Sequence, residues 1–370
     1  MPEQPTLLLT GATGLLGGGL LDRLQIVNPD RHIVVITRQK DRAQQLNLRR
    51  RVVAVHGDIT QPRLGISERF FNQLTSSLSE IIHCAADTRF GIPLSQSRAV
   101  NTEGTRNLLN LARECRQLEK FAYISTVYVV GRSSGVFCEG AVHHQNGFSN
   151  PYQQSKYEAE QLLVEAINDI PAIVCRLSSI VGDSRSGIVQ QFNYVHHLLR
   201  LFPRSLLSVA PGAPETPIDL IATDWAIAAL AYLFESAFVA GRFYHICAGP
   251  QHSLRLQEMM DLTISIFENH PIGRRWVPIR SPELVNLARY EEFVEARRRE
   301  GDRLTNDLLR VLGYFLPHLG LFQAFDNGKT TEALAPSGLR FPPIRDTFAK
   351  VIGYCLDTNW GAHHGPPFTA

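Results

Sequence analysis

Six short runs of nearly continuous apolar residues mark the first half of the chain, at 6–10, 32–37, 51–55, 80–84, 120–125 and 171–176. They are rich in Val, Ile, Leu and Ala and show little polar alternation, as strands covered on both faces require. Between them lie segments of helical length with apolar residues every three or four positions, near 15–26, 39–49, 67–77, 99–117 and 152–168. Strand and helix alternating in this way predict an α/β fold with a doubly wound parallel sheet.

After residue 176 the regularity fades. Turn signals at 183–187 and 211–217 flank a helical stretch at 188–202, followed by a helix over 224–238 and a seventh core strand at 242–247. From 251 onward the pattern is mostly helical, with a charged helix near 289–311 and a proline-rich segment at 335–344. The division that follows is a large domain over 1–250, with 177–217 lent to the substrate lobe, and a smaller, mostly helical C-terminal cap over 251–370.

Charge and cysteine usage narrow the class. A net charge of +2 over 370 residues gives no field for nucleic acid. The six cysteines, at 84, 115, 138, 175, 247 and 355, form no CxxC pair and suit free thiols in a reducing cytoplasm. No secretory leader pattern opens the chain. The most apolar late stretch, 218–240, carries Asp219, Asp224 and Glu235 and is too charged to span a bilayer. A cytoplasmic protein without nucleic acid, metal or transmembrane segment is expected, and the two histidines of the tail read as solvated.

The first strand runs into Thr10-Gly11-Ala12-Thr13-Gly14-Leu15-Leu16-Gly17. Glycines at this spacing allow a tight turn, a close approach of backbone to a pyrophosphate, and tight packing of helix on strand. The helix that starts there offers unpaired N–H groups and the positive end of its dipole. The sheet is therefore of the Rossmann type, with Gly11, Thr13, Gly14, Leu15 and Gly17 facing a dinucleotide. At the end of the second strand, where an NAD enzyme carries an acidic residue, the chain has Thr37-Arg38-Gln39-Lys40. A guanidinium pairs with a 2′-phosphate that a carboxylate would repel, so NADPH is the expected cofactor and Arg38 its discriminator. Lys40 and Arg42 are possible helpers. Asp58 and Ile59 follow the third strand, where the aspartate can accept from the adenine amino group. The small Ala85 and Ala86 end the fourth and let the cofactor lie against backbone.

Tyr152 and Lys156 stand four residues apart at the start of a helix, on one face. An ammonium beside the phenol lowers its pKa toward the working range, and Lys156 can also hold the nicotinamide ribose. Upstream, Ser125 and Thr126 end the fifth strand, at the sheet edge where open α/β folds bind ligands. A hydroxyl there can stabilise a developing oxyanion. Asn101 either caps or kinks the helix it opens and can support a proton relay.

In this order, the segments around the glycine loop, Gly57-Asp58-Ile59-Thr60, His83-Cys84-Ala85-Ala86, Asn101-Thr102-Glu103-Gly104-Thr105, Ser125-Thr126 and Tyr152–Lys156 resemble the extended short-chain dehydrogenases/reductases. Pro62-Arg63-Leu64-Gly65 and Arg176-Leu177-Ser178-Ser179 narrow the likeness to the male-sterility and thioester-reductase branch, which includes fatty acyl-CoA reductases and carrier-protein reductase domains. Leu177 departs from the proline usual there. The resemblance assigns the catalytic hydroxyl to Thr126, leaving Ser125 beside the substrate. It implies hydride transfer from NADPH to an acyl thioester carried in trans by coenzyme A or a carrier protein, giving an aldehyde and then, with a second hydride, an alcohol. The alternatives are a reductase or epimerase acting on a free ketone, aldehyde or nucleotide sugar, and a dinucleotide-sensing protein without catalysis. Phe192, Tyr194, Leu198, Leu199 and Phe202 recur on one helical stripe, with Leu206 and Leu207 beyond. They are expected to line a channel long enough for a pantetheine-like arm, with Phe192 and Tyr194 touching substrate. Oligomeric state is not legible.

Overall fold

The computed structural model describes residues 6–204, 208–301, 306, 309–310, 312–314 and 316–361. Leu206, Leu207 and the histidine-bearing tail lie outside the described residues. Seven parallel strands form the central sheet: β1 (Thr6–Thr10), β2 (His32–Thr37), β3 (Val52–His56), β4 (Leu78–His83), β5 (Lys120–Thr126), β6 (Ala172–Leu177) and β7 (Phe243–Ile246). Their spatial order is β7-β6-β5-β4-β1-β2-β3, so the chain reverses direction between β1 and β4. Such a switch point opens a crevice at the carboxyl ends of the strands.

The apolar runs become strands because helices cover both faces. On one face Leu7, Leu9, Val35 and Ile173 pack against α1 (Leu15–Val27) and α8 (Thr223–Glu235). On the other, Leu8, Ile81, Phe121 and Val174 meet α3 (Glu68–Ser77), α5 (Gly104–Glu114) and α6 (Pro151–Ala166).

Three helices differ from expectation. The one expected over 39–49 is only α2 (Lys40–Leu46). Asn47 ends it by pairing with β3, accepting from Ala54 N at 2.7 Å and donating to Ala54 O at 3.0 Å. The helix expected to open at 99 begins earlier, as α4 (Leu94–Arg98), and passes through a π-helical turn at Ala99–Glu103 into α5. Of 188–202, only α7 (Tyr194–Leu201) is α-helical, with Asn193 and His196 forming a reciprocal cap at its start.

A separate core gathers Val181, Val195 and Leu199 with Phe267, Phe348, Val351 and Ile352. Later segments of the chain pack back against the parts that precede them. Gln323–Phe325 pairs in parallel with Gly135–Phe137, and Leu334 enters the core beneath α8. No helix among the described residues is long and apolar enough to cross a membrane.

Candidate active site

The glycine loop turns between β1 and α1 with Gly11 at φ +74°, the left-handed region that costs glycine little. Backbones also crowd here. A Cβ on Gly11 would lie 2.6 Å from Ala85 N, and one on Gly17 2.2 Å from Gly11 O. Thr13, Gly14 and Leu15 line a groove of about 750 Å³, with Arg185, Ser186 and Gln190 among the residues that complete it. Asp183 shapes the Arg185 loop by accepting from Arg185 N at 3.1 Å and Ser186 N at 2.8 Å. An exposed helix N-terminus facing this groove fits a pyrophosphate. Arg185 was not predicted, and only its place in a Gly-Asp-Ser-Arg-Ser-Gly turn could have flagged it.

Arg38 is exposed at the carboxyl end of β2. Burial pushes the Asp87 carboxyl up, but its bonds to Arg89 and the charge of Arg38 outweigh that and hold it below its ordinary value. Lys40 opens α2, and Arg42 bonds Gln45 on its own helix at 3.3 Å. Asp58 is half-buried and its Oδ1 accepts from Thr60 N at 2.9 Å, a local turn. Ile59 is a core residue beneath α5, with its carbonyl accepting from Asn107 at 2.8 Å. Ala85 N donates to Thr10 Oγ1 at 3.2 Å, and Thr10 in turn bonds His83 at 2.8 Å. Burial, with the Lys156 charge adding, pushes His83 down to about 3, so the ring is neutral and structural. Ala86 follows in the same half-buried segment.

Asn150 caps α6 by accepting from Gln153 N at 3.0 Å, and Pro151 takes the first helical position, where its missing N–H costs nothing. This start places Tyr152 in the first turn and Lys156 one turn deeper. Burial raises the Tyr152 pKa above its ordinary value, while a hydrogen bond with the Thr126 side chain acts the other way. Thr126 ends β5, and its Oγ1 accepts from Tyr128 N at 3.3 Å. Lys156 is buried, and burial pushes it down to about 7. Its Nζ donates to Ile124 O at 2.7 Å. The structure thus brings Thr126, Tyr152 and Lys156 together, but lysine does not supply the expected lowering of the tyrosine.

Ser125 and Thr126 point to opposite sides of β5. Alternation along β5 turns it toward α6, where it donates to Glu160 at 2.5 Å. Asn101 is no N-cap. It sits in the π-helical turn, accepts from Asp87 N at 2.7 Å, and donates to Asp87 O and Ser155 Oγ, each at 2.9 Å. These bonds tie the loop after β4 to the catalytic helix, the kink reading rather than the cap.

Beyond Tyr152 lies an apolar cavity of about 140 Å³ whose lining includes Tyr128, Tyr194, Leu198, Leu199 and Phe202. Phe192 is not part of that lining; its ring packs edge-on against His196 at 5.4 Å. Tyr128 OH bonds Ser179 Oγ at 2.8 Å and Tyr194 OH at 3.2 Å, and Ser179 also bonds Tyr194. Ser179 falls in the Arg176-Leu177-Ser178-Ser179 segment and Tyr128 two residues after Thr126. Three separate elements supply this cluster, so no spacing reveals it.

These features recur in known proteins. The family model for male sterility protein matches residues 9–230. The isonitrile lipopeptide synthase of Streptomyces coeruleorubidus is 33% identical over 237 residues, 58% of this chain and 16% of that protein. Fatty acyl-CoA reductase 1 of Rattus norvegicus is 34% identical over 147 residues, 34% of this chain and 28% of the reductase. The chain therefore spans well under half the length of either relative. Among solved structures, the terminal R domain from the myxalamid PKS-NRPS biosynthetic pathway shares the fold with a TM-score of 0.77 and 26% identity, over 96% of this chain and 92% of that one. With its glycine loop and its Tyr152–Lys156 pair both inside the matched region, this chain belongs to the male sterility protein family and carries that family's NAD(P)-binding fold.

Proposed function

We propose that this chain is an NADPH-dependent reductase of acyl thioesters, working on a substrate presented by coenzyme A or a carrier protein. The observation that carries this reading is that Lys156, one turn from Tyr152 on α6, is anchored to the strand that ends in Thr126, with Phe90 bridging Tyr152 to the Tyr194 wall of an apolar cavity. Bound NADPH supplies a hydride. Gly11, Thr13, Gly14, Leu15 and Gly17 hold its pyrophosphate, Arg38 its 2′-phosphate, and Lys156 its nicotinamide ribose. Asp58 and Ile59 flank the adenine, and Ala85 and Ala86 let the cofactor lie flat.

Thr126 and Tyr152 donate to the substrate carbonyl oxygen as negative charge grows there, which favours the transition state over the ground state. Tyr152, kept protonated by burial, delivers its proton to that oxygen and gives a thiohemiacetal. The carbon–sulfur bond then breaks, the carbonyl re-forms as an aldehyde, and the thiol departs with the hydroxyl proton. A second hydride and proton give the alcohol. Asn101 is a positioning residue for the helix that bears Tyr152. The six cysteines carry no disulfide among the described residues, which suits a cytoplasmic setting.

The walls of the cavity favour this reading over a nucleotide sugar, whose hydroxyls and phosphates would be left unpaired against apolar side chains. The test is oxidation of NADPH by the purified chain with an acyl-CoA, with a free aldehyde, and with neither. The reading expects thioester-dependent oxidation and a trapped aldehyde or alcohol. Oxidation with the free aldehyde but not with the acyl-CoA, or none with either, would overturn it.

A further inference from the structure

Resting on that reading, the cavity behind Tyr128 and Tyr194 defines which acyl group the enzyme takes. The cavity and the hydroxyl pair share a wall. Tyr128 follows Thr126 by two residues and bonds it through its own N–H. Phe90 stacks on Tyr152 with ring centres 5.5 Å apart, and lies 5.8 Å from the Tyr194 ring. An acyl chain whose carbonyl meets Thr126 and Tyr152 therefore has the cavity as its nearest apolar volume.

Most polar side chains in the lining are already paired. Asp219 accepts from Ala248 N at 2.8 Å and Gly249 N at 2.9 Å, and Gln323 donates to Gly131 O and Ser133 O, each at 2.8 Å. Gln153 Nε2 donates to His318 Nε2, which leaves the buried His318 Nδ1 without a hydrogen-bond partner among the described residues. A pantetheine arm carries two amides and a hydroxyl, more than His318 Nδ1 can pair, and each group left over would be stranded at a cost of roughly 1–3 kcal/mol. The cavity thus suits the acyl group better than the arm.

Volume then sets the size. At about 140 Å³ the cavity is close to the roughly 150 Å³ of an apolar cavity that stays dry and binds benzene. We infer that this apolar cavity is the acyl-specificity site and takes a compact hydrophobic group of about six carbons, branched, aromatic or short-chain, rather than a long unbranched fatty chain.

The test is kcat/KM for NADPH oxidation with acetyl-, hexanoyl-, 3-phenylpropionyl- and palmitoyl-CoA. Each methylene that enters the cavity should raise kcat/KM by about fourfold, which corresponds to about 0.8 kcal/mol. The hexanoyl and phenylpropionyl thioesters should therefore exceed acetyl by more than tenfold, and palmitoyl should fall below both. Leu199→Ala, which enlarges the cavity, should shift the optimum to longer chains; Ala210→Leu, which fills it, should shift it to shorter ones. Opposite shifts cannot come from general damage, and either variant alone suffices if the other does not fold. Turnover that is flat with chain length or best with palmitoyl, or an optimum that neither variant moves, overturns this inference and leaves the thioester reading intact. Absence of turnover with every thioester overturns both.

Discussion

Lys156 donates from Nζ to the main-chain oxygen of Ile124 at 2.7 Å, so the amine is anchored to the strand that carries Thr126. It also lies 4.0 Å from the centre of the Tyr123 ring. Burial pushes its pKa down to about 7, with the Glu160 carboxylate acting the other way. Between that value and the unfolded lysine value of about 10.4, the unfolded chain binds more protons than the native one. Stability from this group therefore rises with pH across that window, and its penalty is full below about 7. Lys156→Met should lose the rise. Urea midpoints of both proteins near pH 7 and near pH 9 check this, and parallel pH dependences would contradict a buried neutral amine.

Tyr152 is kept protonated by burial, which suits a group that must give a proton away. Tyr152→Phe keeps the ring and its stacking on Phe90, so folding and cofactor binding should persist while turnover falls roughly 10²–10⁴-fold. Thr126→Val should cost roughly 10²–10³-fold by removing the second donor. Because both act on one oxygen, the double variant should lose far less than the product of the two losses. Single-turnover rates would show it, and multiplicative losses would mean the hydroxyls act independently.

The sheet was legible because its strands are buried on both faces, and continuous apolar runs such as Leu7–Leu9 and Ile33–Ile36 have no other use. The glycine loop was legible because backbone crowding at Gly11 and Gly17 tolerates no side chain. Other relationships were hidden because topology, not spacing, creates them. Ser125 and Thr126 look equivalent in sequence, and only the position of α6 decides that Ser125 meets Glu160. Phe192 shares an apolar pattern with Tyr194, yet it precedes the helix cap at Asn193 and so leaves the stripe. Arg176 reads as the end of a strand, and nothing local reveals a fully buried charge.

Arg38 gives the cofactor prediction. It is exposed in this structure, so its pair with a 2′-phosphate is partly screened and sits at the low end of charge-assisted bonds. Arg38→Ala should weaken NADPH by roughly tenfold, equivalent to about 1.4 kcal/mol, and leave NADH nearly unchanged. Fluorescence titration with both cofactors measures the difference. Equal losses would remove Arg38 from the 2′-phosphate site and shift attention to Arg185, which lines the groove beside the glycine loop.

Glu160 and Arg176 form a buried ion pair under the catalytic helix. Arg176 donates to Glu160 from Nε at 3.0 Å and from Nη2 at 2.6 Å, and Ser125 adds a third bond to the same carboxylate. His245 completes the group. Its Nδ1 donates to Asp326 O at 2.8 Å, so its Nε2 accepts from Arg176 Nη1 at 3.2 Å. Burial pushes that ring down to about 3, so it adds no charge. Removing one partner leaves an uncompensated buried charge, so Glu160→Leu and Arg176→Met should each cost about 3–5 kcal/mol. The double variant leaves neither charge and should be more stable than either single one, a coupling that urea midpoints at constant m resolve. Glu160 lies one turn beyond Lys156 and two beyond Tyr152 on α6, so the pair also fixes how deep the helix sits. The double variant should therefore fold and bind NADPH yet turn over more slowly, with Thr126 and Tyr152 out of register. Single variants that each cost under about 1 kcal/mol, or a double variant with full turnover, would show that packing of Ala159 and Leu163 positions α6 without the ion pair.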